Sequence, residues 1–268
     1  MTQPPPRPIA WHAFLPKRVW EVGKMLMAAF ATPRRFDIGH LRSSFAMRPM
    51  DRHGRPLPWY SYPAIEKLQA SDFTGKRVLE FGGGQSTRWW AERAGSLVTI
   101  EADPPWAAEI QAAAPCAEVH CVPIDPATRS IQPIRKLLAG RSFDVIVVDG
   151  HLREECTEFA VSLLAADGAL ILDNSEGYGL FDLTVRLGLE RVDLWGHSPG
   201  VWRRQCTSIA YRGSCFLLRQ ASVVEAALQF GDRRGQQGDV LRPRQAVVAV
   251  LDQRHAHVRG AQALRELQ

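Results

Sequence analysis

Short apolar runs that end in an acid recur through the middle of this chain. Val78-Leu79 runs into Glu80, Leu97 to Ile100 ends at Glu101, and Val119 to Pro123 is followed by Ile124-Asp125. Phe143 to Val148 ends at Asp149, and Ala169 to Leu172 ends at Asp173-Asn174. Runs this short and rich in β-branched residues suit strands covered on both faces. Helical spacing fills the gaps. Residues 153–165 (REECTEFAVSLLA) form one such stretch, and Ala166-Asp167-Gly168 after it is a glycine stop signal. Residues 181–190 read as another helix, and Arg191–Trp195 and Ser208–Leu218 as two closing strands around a loop. The alternation predicts an α/β fold: a Rossmann-like, doubly wound, mostly parallel seven-stranded sheet with helices on both faces. In open sheets of this kind ligands bind beyond the carboxyl ends of the strands. Glu80, Glu101, Asp125, Asp149, Asp173 and Asn174 would then share one rim.

The turn after the first run carries three glycines, Gly82, Gly83 and Gly84. Glycine lets a ligand approach the backbone, because no Cβ stands in the way. The helix start behind the turn offers free N–H groups to an anionic group. A triphosphate loop needs Lys and then Ser or Thr after its last glycine, but Gln85-Ser86-Thr87 follows Gly84. A dinucleotide loop wants a third glycine where Thr87 stands, which weakens that option without removing it. What remains, Glu80-x-Gly82-x-Gly84-x-Ser86, resembles the first motif of class I S-adenosylmethionine (SAM)-dependent methyltransferases. The resemblance covers residues 57–218. It implies that Glu80, Gly82, Gly83, Gly84 and Ser86 meet the methionine portion of SAM. It further implies that Glu101 takes the ribose hydroxyls, that Asp125 lies near the adenine amine, and that Asp149 borders the cofactor. A closing strand pair with one antiparallel member is also implied.

In metal-dependent O-methyltransferases an Asp after the fourth strand and an Asp-Asn after the fifth bind a divalent cation. Asp149, Asp173 and Asn174 stand in that order here, so the resemblance extends to a Mg²⁺ site holding an acceptor hydroxyl. The lysine usual a few residues after the first Asp is missing, and Gly150-His151-Leu152-Arg153 follows instead. His151 is then the candidate base and Asp149 its companion, because an imidazole can take up a proton near neutral pH. Arg153 is a candidate for binding the acceptor. The stiff aromatic segment Pro56, Pro58, Trp59, Tyr60, Tyr62, Pro63 precedes the first core helix. Methyltransferases commonly cover their sites with elements at this place, so Trp59 and Tyr62 are candidates for the acceptor pocket, with a plain hydrophobic plug as the alternative. The loop His197-Ser198-Pro199-Gly200 is a second candidate lid.

Composition refines the picture at the ends. The formal charge is +5, but residues 1–55 carry 10 basic and 3 acidic groups, residues 56–200 carry 12 and 20, and residues 201–268 carry 11 and 5. An acidic middle suits a cationic cofactor. The domains expected are an N-terminal extension over 1–56, a SAM-binding domain over 57–220 and a basic helical extension over 221–268. Residues 11–30 show helical spacing interrupted by Lys17, Glu21 and Lys24, which speaks against a membrane span and leaves packing on the domain, a homodimer contact or a peripheral membrane contact. Five cysteines without a Cys-x-x-Cys pair suggest reduced thiols in a cytoplasm, and 28 Arg against 5 Lys fits a GC-rich bacterial source. No nucleic-acid motif is present. The function expected is transfer of a methyl group from SAM to an oxygen of a small molecule or sugar. The rivals are an NAD(P)-dependent oxidoreductase and a non-catalytic SAM-fold scaffold.

Overall fold

The computed structural model describes residues 38–124 and 128–219, with positions 19, 22–24, 26 and 27 of an earlier helical segment. Two compact units divide the chain, Met1–Leu217 and Leu218–Gln268, and nearly all described residues fall in the first. Asp125, most of the 11–30 segment and the 221–268 extension lie outside the described residues.

Seven strands form one sheet: β1 (Arg77–Phe81), β2 (Ser96–Glu101), β3 (Glu118–Cys121), β4 (Phe143–Val148), β5 (Leu164–Asp173), β6 (Glu190–Gly196) and β7 (Gln205–Tyr211). Their order is β3-β2-β1-β4-β5-β7-β6. Strands β1 to β5 pair in parallel, and β7 runs antiparallel to both β5 and β6. The chain winds outward from β1 to β3, then returns to lay β4 on the other side of β1. That reversal between β1 and β4 is a topological switch point, where α/β sheets open a crevice. The expected fold class is what the strand order gives, including the antiparallel member of the closing pair.

Burial explains the strand sequences. Val145, Ile146, Val147 and Val148 are all fully buried, as are Ala169 to Leu172, so both sheet faces are covered. On one face Leu79, Phe81, Ile146 and Leu170 cluster with Ile134 of α5 (Gln132–Leu137), Phe159 and Leu163 of α6 (Arg153–Leu163) and Leu183 of α7 (Leu180–Arg186). Burying side chains of this size contributes about 1.5–3 kcal/mol each. Trp89 and Trp90 of α3 (Gln85–Ala91) are fully buried too, with Trp90 edge-on to Phe73 at 4.9 Å between centroids. Helix α4 (Pro104–Ala113) starts where its sequence says it should. Asp103 accepts the Trp106 N–H, and prolines occupy the first turn.

Some boundaries differ from expectation. Ala165 to Gly168 belong to β5, and the helix before them ends at Leu163, so Gly168 is no helix cap. Leu164 pairs with Phe143, and the register slips before Ala169 meets Val145. A Cβ on Gly168 would lie 2.8 Å from Leu164 Cδ1 and 3.1 Å from the Asp144 carbonyl oxygen, so this irregular ladder needs glycine for close approach. The last strand ends at Tyr211, and Phe216–Leu218 form a 3₁₀ turn, where a strand through Leu218 was expected.

Candidate active site

A cavity of about 570 Å³ opens at the carboxyl ends of β1, β2, β4 and β5. That lies within the usual size range of small-molecule sites. Its floor is the glycine turn. Gly82 has φ 86°, a left-handed conformation that favours glycine. A Cβ there would stand 2.5 Å from Gly150 Cα, so the turns after β1 and β4 touch backbone to backbone. A Cβ on Gly83 would stand 2.7 Å from Ile110 Cδ1 and 2.8 Å from Thr99 Cγ2. Gly82 and Gly83 line the cavity. Gly84 and Ser86 do not; Gly84 caps α3, and Ser86 is buried.

Glu80 is fully buried behind the loop. Thr87 Oγ1 donates to its Oε2 at 2.5 Å and Thr99 Oγ1 donates to the same atom at 3.0 Å. Thr87 in turn accepts the Gly84 N–H at 2.9 Å. Burial pushes the Glu80 carboxyl up to about 7, against the hydroxyls of Ser86, Thr87 and Thr99, which favour its charged form. The structure thus places Glu80 as the anchor of the turn. Thr87, which first counted only as a missing glycine, joins strand end, turn and helix.

Glu101 faces the cavity from the end of β2. Its Oε2 accepts the Gly83 N–H at 3.0 Å, and its Oε1 accepts the N–H groups of Ala102 at 2.7 Å and Asp103 at 3.0 Å. These bonds fix the carboxylate, while an oxygen with two lone pairs keeps capacity for a ligand hydroxyl. Trp106 donates its indole N–H to the Gly83 carbonyl at 2.9 Å, a further brace on the loop that sequence reasoning missed.

Asp149, His151, Arg153, Asp173 and Asn174 all line the same cavity. Burial raises Asp149 to about 6, with Arg153 opposing the shift. Asp173 is raised as well, by burial first and by the neighbouring Asp149 charge second. Thr207 Oγ1 donates to Asp173 Oδ1 at 2.6 Å. Arg153 Nη2 donates to Asp149 Oδ1 at 2.8 Å. These contacts decide how well the set suits Mg²⁺, which demands near-octahedral oxygen ligands. It does not fit. The Asp149 carboxylate is already paired with the Arg153 guanidinium, whose positive charge opposes a divalent cation beside it, and one oxygen of the Asp173 carboxylate is taken by the Thr207 hydroxyl. The missing lysine was the sequence's hint of this departure. The His151 side chain makes no hydrogen bond among the described residues and faces the cavity.

The aromatic segment divides. Trp59 lines the cavity with its side chain half-exposed; its indole N–H donates to the Pro199 carbonyl at 2.8 Å, and its own carbonyl accepts from Gln205 Nε2 at 3.0 Å. Tyr60 and Tyr62 are buried. Tyr62, in the first turn of α2 (Tyr62–Gln69), packs away from the cavity with its hydroxyl 3.2 Å from His40 Nδ1, a buried residue of α1 (His40–Ala46). So Trp59 of this segment borders the cavity, and Tyr62 is part of the packing away from it. Tyr178, Val201 and Arg203 complete the outer wall. Val201 and Arg203 lie in the β6–β7 loop, just after the His197–Gly200 stretch that the sequence offered as a second candidate lid, whereas the loop of Tyr178 gave no signal.

Similar solved structures include the O-methyltransferase from Bacillus cereus in complex with SAH, at 17% identity, covering 72% of this chain and 98% of that one with a TM-score of 0.45. The O-methyltransferase TomG from Streptomyces achromogenes, involved in tomaymycin synthesis and in complex with SAM, is 19% identical, with 74% and 99% covered and a TM-score of 0.45. Cofactor-bound Rv0187 from MTB is 22% identical, with 79% and 100% covered and a TM-score of 0.43. No protein-family model and no curated protein sequence matches the chain.

Proposed function

We propose that this chain is a SAM-dependent methyltransferase that moves a methyl group to an oxygen of a small molecule or sugar. The observation that carries this is the convergence of the Gly82-Gly83 turn, Glu101 and the Asp149-Gly150 turn on one cavity at the switch point of the sheet. SAM is a cationic nucleoside with an amino acid end. Glu101 suits its ribose hydroxyls, and the bare backbone at Gly82 and Gly83 suits the methionine portion. The antiparallel β7 argues against the dinucleotide oxidoreductase, whose sheet runs in the order 3-2-1-4-5-6. Thr87, buried and bonded to Glu80, argues the same way.

The acceptor enters beside Trp59 and Arg153. Its oxygen attacks the sulfonium methyl in line, the carbon–sulfur bond breaks, and the sulfur leaves as the thioether of S-adenosylhomocysteine (SAH). Positioning supplies most of what this displacement needs. The acceptor's proton goes to His151, whose imidazole makes no hydrogen bond among the described residues, whereas Asp149 is held by Arg153. Two measurements test the proposal. Calorimetric titration with SAH and with NADH separates the cofactor classes: SAH is expected to bind and NADH not. Incubation with methyl-labelled SAM and a panel of hydroxylated acceptors separates enzyme from scaffold. NADH binding in place of SAH would sink the cofactor assignment, and SAH binding without transfer to any acceptor would favour the scaffold.

A further inference from the structure

Arg153 is the first residue of α6, a place where a cation meets the unfavourable end of the helix dipole. Leu152 before it is left-handed at φ 51°. The arginine is nevertheless held tightly, with a side chain only 9% exposed. Its Nε donates to the Gly150 carbonyl at 3.1 Å, and its Nη2 to the Asp149 carbonyl at 3.0 Å and Asp149 Oδ1 at 2.8 Å. Its Nη1 donates to the Asp173 carbonyl. The guanidinium also lies over the Tyr178 ring, 4.4 Å from its centroid. One side chain therefore ties the end of β4 to the end of β5 through four oxygens. Three backbone carbonyls and a carboxylate are the kind of oxygen cage a hard cation takes, and here a planar fork of N–H donors occupies it.

We propose that Arg153 is a built-in cation. It supplies a fixed positive charge between the ends of β4 and β5, beside the carboxylate of Asp149, and it positions the Asp149-Gly150 turn for the cofactor without metal. The link to the cofactor is direct, because Gly150 abuts Gly82 so closely that a Cβ on Gly82 would stand 2.5 Å from Gly150 Cα. Loss of the fork would free the β4 turn and with it the floor of the cavity. A lysine could supply charge but not four oriented donors. The SAM assignment underlies the cofactor half of this proposal; the occupancy half stands on the oxygen cage alone.

The test uses the full-length chain and two readouts. In the first, Mn²⁺ is titrated into the wild type and followed by its electron resonance, which requires no assumption about the cofactor. No specific Mn²⁺ binding is expected. Stoichiometric binding that a folded Asp173→Asn abolishes would overturn the proposal. In the second, SAH affinity is measured with chelator, with Mg²⁺, and in Arg153→Ala and Arg153→Lys. Wild-type affinity is expected to be the same with chelator and with Mg²⁺. Both substitutions are expected to weaken SAH by about tenfold or more, the scale of hydrogen bonds to a charged group. Millimolar methylguanidinium, but not Mg²⁺, is expected to restore Arg153→Ala. Metal-dependent SAH binding by the wild type, rescue by Mg²⁺, or unchanged affinity in a folded Arg153→Ala would each refute the built-in cation. A wild type that binds no SAH under any condition would instead refute the cofactor assignment, and the Mn²⁺ titration would still decide what fills the cage.

Discussion

At the scale of single residues the site depends on contacts at near-minimal distance. Glu101 holds three backbone N–H groups and faces the cavity, so Glu101→Ala should weaken SAM and SAH by about 1.5–3 kcal/mol in a calorimetric titration. Unchanged affinity would remove Glu101 from the cofactor's contacts. Gly83 has no room for a methyl group between Ile110 and Thr99. Gly83→Ala should cost about 1–3 kcal/mol of stability, as overpacking does, and should lower SAH affinity as the loop shifts. Chemical denaturation of the variant beside the wild type checks the first effect. The glycines and Glu101 were legible in the sequence because each sits at a fixed step from an apolar run. Arg153 was legible only as a cation near the site. Its main partners are backbone carbonyls, which carry no residue signature, so its four-oxygen grip appears only in three dimensions.

At the scale of elements the β1–turn–α3 unit is joined by buried polar groups. Thr87→Val would leave Glu80 Oε2 with one fewer donor and the Gly84 N–H without its acceptor. A loss of about 1–3 kcal/mol in unfolding free energy is expected. The pH dependence follows from Glu80 itself. Its carboxyl, normally near 4.5, is raised to about 7 by burial. Below 4.5 both folded and unfolded chains hold this proton, and the site carries no charge penalty. Between 4.5 and 7 the unfolded chain ionises first, so the folded state loses stability as pH rises, on the order of 3 kcal/mol by pH 7. Asp149 and Asp173, raised for the same reason, add to the fall. Glu80→Gln should flatten Glu80's share of that slope in unfolding curves taken across the window; an unaltered slope would contradict the assignment. The strands and the helices after the glycine turn, after β4 and after β5 were readable from run length and spacing. One exception, Ala165 to Gly168, looked like a helix stop because Ala-Asp-Gly is one locally. Pairing of Leu164 with Phe143 overrode that local signal.

At the scale of the molecule, the strand order places acids from β1, β2, β4 and β5 near one rim, but it does not give them one role. Glu101 and Asp149 face the cavity, Glu80 braces the turn from behind, and Asp173 divides its carboxyl and carbonyl between Thr207 and Arg153. The side-chain direction at each strand end, which depends on turn geometry, made that division invisible in the sequence. The aromatic segment shows the same limit: Trp59 and Tyr62 are three residues apart and face opposite surroundings. The basic ends of the chain lie mostly outside the described residues, and among the described residues no helix is long and apolar enough to cross a membrane. The central claim is that the rim binds the product thioether through Glu101 and the glycine turn. Thermal unfolding with SAH tests it most directly. Free SAH at about 100 times its Kd should add about 2.7 kcal/mol to the wild type's stability, and at that same concentration much less to Glu101→Ala. No stabilisation of the wild type at any SAH concentration, or equal stabilisation of both proteins, would contradict it.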